Sequence, residues 1–344
     1  MAFSLQDRFL ELCRFITRPP RTTYVEGDLG PRNFRMAGEA FTRTDVTLRN
    51  ARGHQIHCSH YHPTEASATA RPCVIYLHGN SSSRLEAISV LPTLLPRGIT
   101  VFALDFSGSG ISEGEHVSLG YHEKDDVKRV IDHLYATGKV SRIGLWGRSM
   151  GAATALMHTS RDQDRVKAIV CDSPFACLRS LSGEFTNSFL NMQTPSWLVG
   201  MLFEWVRSAI QDRNKFDIME LKPIQYAATT FVPALFTAAR DDKFVLPHHA
   251  QRIYQAYGGC KRFELVEGDH NSLRPWSWHN TVADFFVEHL VLSTAAPLRT
   301  PFGSASTNTQ ATARGCKLDA PPPTPEKENM PPELRATPSW ARTP

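Results

Sequence analysis

The chain has 344 residues, 41% hydrophobic and 21% charged, enough apolar material for a sizeable core in one large or two ordinary domains. Its net charge of +4 is scattered, with no basic run interleaved with aromatics, so nucleic acid is not an expected partner. No apolar stretch is long enough to span a bilayer, the N-terminus lacks a secretory pattern, and seven cysteines without framework spacing fit reduced thiols; a cytoplasmic protein is expected.

Composition divides the chain into three parts. Residues 1–40 form an N-terminal arm in which Leu5, Phe9, Leu12, Cys13 and Ile16 share one helical face until Pro19-Pro20 ends the pattern. With Arg8, Arg14, Arg18 and Arg21, and with Cys13 open to acylation, this arm has the two signals needed for a peripheral membrane contact. The preferred reading is simpler: the helix docks on its own domain. Residues 41–292 form the body. Residues 293–344 are rich in Pro, Thr, Ser and Ala, too poor in large apolar residues to offset their ordering entropy, and are expected to be disordered. This tail carries Thr-Pro at 300, 324, 337 and 343 and Lys327-Glu328-Asn329, which would make it a target for kinases or degradation machinery.

Within the body, FTRTDVTLRN and HQIHCSHYHP flank the turn Ala51-Arg52-Gly53 and predict an antiparallel hairpin. Cys58, His60 and His62 share a face of its second strand, but no further ligand accompanies them, so a surface strand is preferred to a metal site. PCVIYLHGN and GITVFALDFSGSG follow as short apolar strands ending in glycine loops. YHEKDDVKRVIDHLYATG reads as a helix with Val127, Val130, Ile131 and Leu134 inward. Then come the strand SRIGLWG, the helix SMGAATALMHT, the strand VKAIVCDSP and a helical insert at about 175–230. VPALFTAAR, a helix near PHHAQRIYQAYGG, KRFELVEG and the helix PWSWHNTVADFFVEHL close the body. Apolar strands alternating with helices predict an α/β fold with a mostly parallel sheet covered on both faces. In the insert, Leu198, Met201, Leu202 and Trp205 lie on one helical face, which suits equally a cap over an acyl pocket and a helix packed on the sheet.

The chemistry is signalled by Gly147-Arg148-Ser149-Met150-Gly151, a G-x-S-x-G run at a strand-to-helix turn. Such a turn forces its central residue into strained geometry, lifts the side chain above the sheet, and needs glycines where strand and helix approach. A nucleophilic Ser149 needs a base, and His270 in the loop after the last strand is the candidate. The acid belongs after VPALFTAAR. Asp242 is preferred there, three residues before an apolar anchor; Asp241 and Asp172 are the alternatives. For the oxyanion, backbone N–H groups of Met150 and of Asn80 are expected, with Ser81 close behind; His78 is read as a brace of that loop. Asp105-Phe106-Ser107-Gly108-Ser109-Gly110 lacks the spacing and the lysine of a phosphate loop and reads as a structural turn.

HGN, DFSGSGISEG, GRSMG, RDDKFV and GDHNS, in this order, resemble the α/β-hydrolase superfamily, and within it the plant and protist serine aminopeptidase-like (S33-type) hydrolases near the protein-depalmitoylating branch. The similarity extends over most of the chain except the tail. Ala239 stands where many relatives carry glycine, and Cys13 alone replaces the cysteine cluster of the depalmitoylating branch. The expected function is a serine hydrolase of ester or thioester bonds acting on a small-molecule or acylated substrate through an acyl-enzyme, with no cofactor and no metal. A peptidase or amidase, or a scaffold on an inert hydrolase core, are the alternatives.

Overall fold

The computed structural model describes residues 16–65, 69–190 and 196–292. Nine strands form one sheet: β1 (Asn33–Met36), β2 (Glu39–Arg49), β3 (Gln55–Pro63), β4 (Arg71–Leu77), β5 (Thr100–Leu104), β6 (Val140–Arg148), β7 (Val166–Asp172), β8 (Ala234–Ala239) and β9 (Lys261–Val266). Their order is β1-β2-β3-β5-β4-β6-β7-β8-β9. β1, β2, β3 and β5 pair antiparallel, whereas β5, β4, β6, β7, β8 and β9 run parallel. The main helices are α1 (Glu123–Ala136), α2 (Met150–Thr159), α3 (Leu178–Leu190), α4 (Ser196–Asn214), α5 (His248–Ala256) and α6 (Trp276–Phe286).

The central strands are buried on both faces, and their period of two divides the core. Cys73, Ile75 and Leu77 of β4, Ile143 and Leu145 of β6, and Ile169 and Cys171 of β7 belong to one apolar cluster, closed by Val127, Val130, Ile131 and Leu134 of α1 and by α2. Val74, Tyr76, Trp146, Ala168 and Val170 belong to the other, closed by Trp278, Val282, Phe285 and Phe286 of α6. This is why these strands read as continuous apolar runs rather than as alternating ones.

The chain passes from β4 to β5 on one side and then returns to place β6 on the other side of β4. A crevice opens at such a switch, beyond the carboxyl ends of the two strands that part. The loop after β4 begins at His78 and the turn after β6 holds Ser149, so both segments meet there.

Two sequence expectations change. The sheet does not begin at residue 41: β1 pairs with β2 through the Ala37-Gly38 turn, both residues having positive φ (50° and 82°), the geometry of a two-residue hairpin. With four residues and only partial burial, β1 has too weak an alternation to be read from sequence. The stretch before it is also fastened down. The Arg21 guanidinium donates to the carbonyls of Ser109, Gly110, Ser112 and Gly114, Thr22 to that of Ser81, and Tyr24 to Asp105 (2.6 Å). The rest of the arm helix, with Cys13, and the tail lie outside the described residues. In α4 the buried face is Phe203, Val206 and Ile210, while Met201 and Trp205 are 39% and 53% exposed. The face of Met201 and Trp205 is therefore not the one packed on the core; the side chains of Leu198 and Leu202 are outside the described set.

The tightest packing lies where α2 crosses β4: a Cβ on Gly151 would stand 2.0 Å from the Leu77 carbonyl oxygen. Gly151→Ala should therefore cost about 3 kcal/mol of stability through forced overpacking, measured as the shift of a urea unfolding midpoint at unchanged slope.

Candidate active site

Ser149 sits between the end of β6 and the first residue of α2 with φ 51° and ψ −115°, a strained backbone for a residue with a side chain. The two glycines permit it. A Cβ on Gly147 would lie 2.2 Å from the Gly151 carbonyl oxygen, so no larger residue lets strand and helix close on the turn. Every residue of α2 is buried, which holds the turn from behind.

Ser149, His270 and Asp242 come together. His270 Nδ1 lies 2.6 Å from Asp242 Oδ2, and His270 Nε2 lies 3.0 Å from Ser149 Oγ. An ionised carboxylate only accepts, so Nδ1 carries the proton that donates to Asp242. Nε2 is then the free acceptor for the Ser149 hydroxyl. Asp242 is buried, and its other oxygen accepts the backbone N–H groups of Phe244 (2.9 Å) and Val245 (2.8 Å). The buried Val245 is the apolar anchor that fixes this loop. The Phe244 ring lies against the imidazole, centroids 5.1 Å apart.

The two alternative acids stand elsewhere. Asp241 is exposed, and its N–H donates to the Gly268 carbonyl. Asp172 is buried in a bidentate pair with Arg274 (2.9 and 3.0 Å), which occupies both of its oxygens. Its backbone carbonyl accepts the Ser149 N–H.

Met150 is the first residue of α2, where an N–H has no acceptor inside the helix. The loop after β4 lies beside it: a Cβ built on Gly79 would be 3.9 Å from Ser149 Cβ. Asn80 follows in this loop, its side-chain Oδ1 buried without a hydrogen-bond partner, and Ser81 adopts φ 64°. His78 is fully buried and braces the loop as expected, its Nε2 accepting the Phe106 N–H at 3.1 Å. Asp105 is the centre of the adjoining turn, accepting from Arg84 N, Ile111 N and the Tyr24 hydroxyl. Gly110 packs on that carboxylate, which confirms a structural turn.

Sequence reading missed Glu86, Arg148 and Arg274. Arg148 donates to Glu86 Oε1 (3.1 Å) and to the carbonyls of His270 (2.8 Å) and Ser272 (3.2 Å); Glu86 Oε2 accepts the Gly79 N–H (2.9 Å). Burial works against the Arg148 charge, but Glu86, Tyr76 and Asp172 together outweigh it and hold the guanidinium above the ordinary arginine range. Arg274 donates to the Asp269 and Ser272 carbonyls. Arg148 and Arg274 border a small cavity behind the turn, shared with Tyr76, Asp172 and His279. Burial pulls the His279 pKa down to about 4 and keeps it neutral. The signal was present: a charged residue ending a buried strand must find a partner.

His60 is partly buried against Phe102, and desolvation pulls its pKa down to about 3. Among the described residues, the group of His, Cys, Asp and Glu side chains close enough to share an ion is Glu184, His248 and His249. The Ala176 N–H donates to His249 Nδ1 (3.1 Å), so a neutral ring carries its proton on Nε2, where it donates to Glu184 (2.9 Å). That tautomer presents no lone pair to an ion. The group pins α3 of the insert to α5.

Residues 72–207 match the family model described as the alpha/beta hydrolase fold. The chain carries the α/β-hydrolase fold. It is 27% identical over 236 residues to the uncharacterized protein YqkD of Bacillus subtilis, covering 67% of this chain and 74% of that protein. It is 27% identical to protein bem46 of Schizosaccharomyces pombe, covering 75% and 80%. With the lysophosphatidylserine lipase ABHD12 of Rattus norvegicus it shares 25% identity over 58% of this chain and 48% of that one, so the match spans about half of the lipase. Among solved structures, the esterase Pf2001 of Pyrococcus furiosus aligns with a TM-score of 0.59 at 23% identity over 79% of this chain and 100% of its own. An acetyl xylan esterase from Paenibacillus sp. R4 aligns with 0.58 at 19%, covering 81% and 98%. These structural likenesses concern the fold.

Two substitutions separate the aspartates. Asp242→Asn should lower kcat by about 10⁴-fold with little change in stability, because the amide no longer holds the Nδ1–H tautomer. Asp172→Asn should instead destabilise by roughly 3–5 kcal/mol, since it leaves Arg274 buried and uncompensated. Steady-state kinetics and denaturant unfolding on both proteins check the contrast.

Proposed function

We propose that this hydrolase cleaves acyl ester or thioester bonds with Ser149 as nucleophile. The observation that carries the reading is the hydrogen-bonded series Asp242–His270–Ser149, ending on a serine held at φ 51° at the start of a helix. A glycine-rich turn with a capping serine accounts for neither the base nor the strain.

His270 Nε2 takes the hydroxyl proton as Ser149 Oγ bonds to the carbonyl carbon. Asp242 holds the imidazolium. The negative oxygen faces the N–H groups of Met150 and Asn80, and the positive end of α2 adds to their effect. The tetrahedral adduct collapses, the carbon–oxygen or carbon–sulfur bond to the leaving group breaks, and His270 returns the proton to it. Water repeats the cycle on the acyl-serine, giving a carboxylic acid and free Ser149.

The names of the relatives support an ester substrate: one is a lysophosphatidylserine lipase and solved neighbours are esterases. An acylated small molecule is the proposed substrate. A peptidase is the weaker reading, because no acidic site for a substrate amine is recognisable in the sequence. Among the described residues no helix is long and apolar enough to cross a membrane. Placement in the cytoplasm is part of this proposal.

Ser149→Ala should abolish labelling by a fluorophosphonate and lower hydrolysis of p-nitrophenyl esters by about 10⁴-fold or more, with the unfolding midpoint unchanged. A serine-free protein that turns over at the wild-type rate would overturn the reading. The preference across ester chain lengths sizes the acyl pocket.

A further inference from the structure

We infer that Arg148 is a positioning residue: its guanidinium ties the oxyanion loop to the histidine loop, so that the two halves of the site keep one geometry. The inference rests on the hydrolase reading above.

Arg148 is the last residue of β6 and directly precedes the nucleophile. Its two terminal nitrogens point to different loops. Nη1 reaches Glu86 Oε1 at 3.1 Å, and the second oxygen of that carboxylate accepts the Gly79 N–H at 2.9 Å. Gly79 immediately precedes Asn80, so the plane of the peptide that carries the Asn80 N–H is set by a residue whose own N–H is fixed. Nη2 reaches the carbonyl of His270 itself at 2.8 Å, and that of Ser272 at 3.2 Å. One cation therefore spans from the backbone of the base to the backbone of the oxyanion loop, with Ser149 between them.

The pair is sheltered, the Arg148 and Glu86 side chains being 16% and 15% exposed, so solvent screens it less than a surface pair. A lysine would supply the charge but not the fork: a single ammonium does not reach both loops with paired hydrogen bonds. Arg274 is the internal comparison. It too holds the histidine loop, through the Asp269 and Ser272 carbonyls, but its charge is matched by Asp172 and none of its hydrogen bonds goes to the loop after β4. Arg274 anchors one loop; Arg148 couples two.

Because misplacing donors and base by a fraction of an ångström acts on the transition state more than on bound substrate, the loss falls on kcat. The test compares wild type with R148A, R148K, E86Q and the double variant, using p-nitrophenyl butyrate, fluorophosphonate labelling and thermal unfolding. R148A should lower kcat by about 100-fold while KM stays within about threefold. Millimolar guanidinium should restore part of the loss, and R148K should recover less than wild type. E86Q should lower kcat in the same direction, and adding it to R148A should cost little more, because both act through one link. A wild-type kcat in R148A overturns the inference, as does a loss in R148A and R148K that follows the fall in unfolding temperature and ignores guanidinium. If R148A does not fold, wild-type kcat in both R148K and E86Q overturns it equally. An active wild type with active Arg148 variants defeats this inference alone. A folded wild type that neither labels nor hydrolyses defeats the reading of the site, and the inference with it.

Discussion

The close approach of β6 and α2 to the backbone of β4 sets everything else at the site. Gly151 lies against the Leu77 carbonyl and Gly147 against the Gly151 carbonyl, distances that admit no side chain. The chain must therefore reverse within one residue, and Ser149 takes a backbone conformation costing on the order of 1–3 kcal/mol. Burial of the whole of α2 between sheet and α1 offsets that strain. Because β4 is the neighbour being approached, the same packing that strains Ser149 also puts the loop after β4 beside it. The strained turn at Ser149 and the placement of the loop after β4 are two consequences of one constraint.

Around this turn the structure buries charge. Asp172 with Arg274, Arg148 with Glu86, and Asp105 with Arg84 and Tyr24 surround it. Desolvation and the Asp105 carboxylate push the Tyr24 hydroxyl far above its ordinary pKa, so it stays a donor. Buried pairs of this kind add little net stability, since the desolvation of two ions roughly cancels their attraction. What they supply is direction: Arg148 and Arg274 have N–H groups beyond those taken by their carboxylates, and these go to loop carbonyls. The segment around Arg21, Thr22 and Tyr24 extends the arrangement, binding the turn after β5 and the oxyanion loop from outside the sheet.

The readable parts of the sequence were those with a strong local period or a steric requirement. β4 to β8 are short apolar runs, and α1 shows its inward residues at helical spacing. G-x-S-x-G marked the turn because only glycine fits at its flanks. His270 and Asp242 were placed by chain order relative to the strands, and the structure brings their side chains to hydrogen-bond distance of one another. β1 was missed because four half-exposed residues carry no period. For α4 the choice between cap and packed helix had no local answer: Phe203, Val206 and Ile210 also fall at helical spacing, and only the packing makes theirs the buried face. Asp172 ends β7 and Asp242 follows β8, both at the carboxyl edge of the sheet, and only the apolar anchor after Asp242 distinguishes them locally. The distinction is made by Arg274, 102 residues from its partner.

The sequence by itself determined the parallel sheet, the strained turn at Ser149 and the order in which Ser149, Asp242 and His270 leave the strands, since these follow from side-chain size and period along the chain. Only the tertiary structure decided which carboxylate meets His270, and that Arg148, Glu86 and Arg274 hold the surrounding loops. The physical reason is that a charge interacts through space with whatever folding brings near it, and its partner leaves no mark at any fixed distance along the chain.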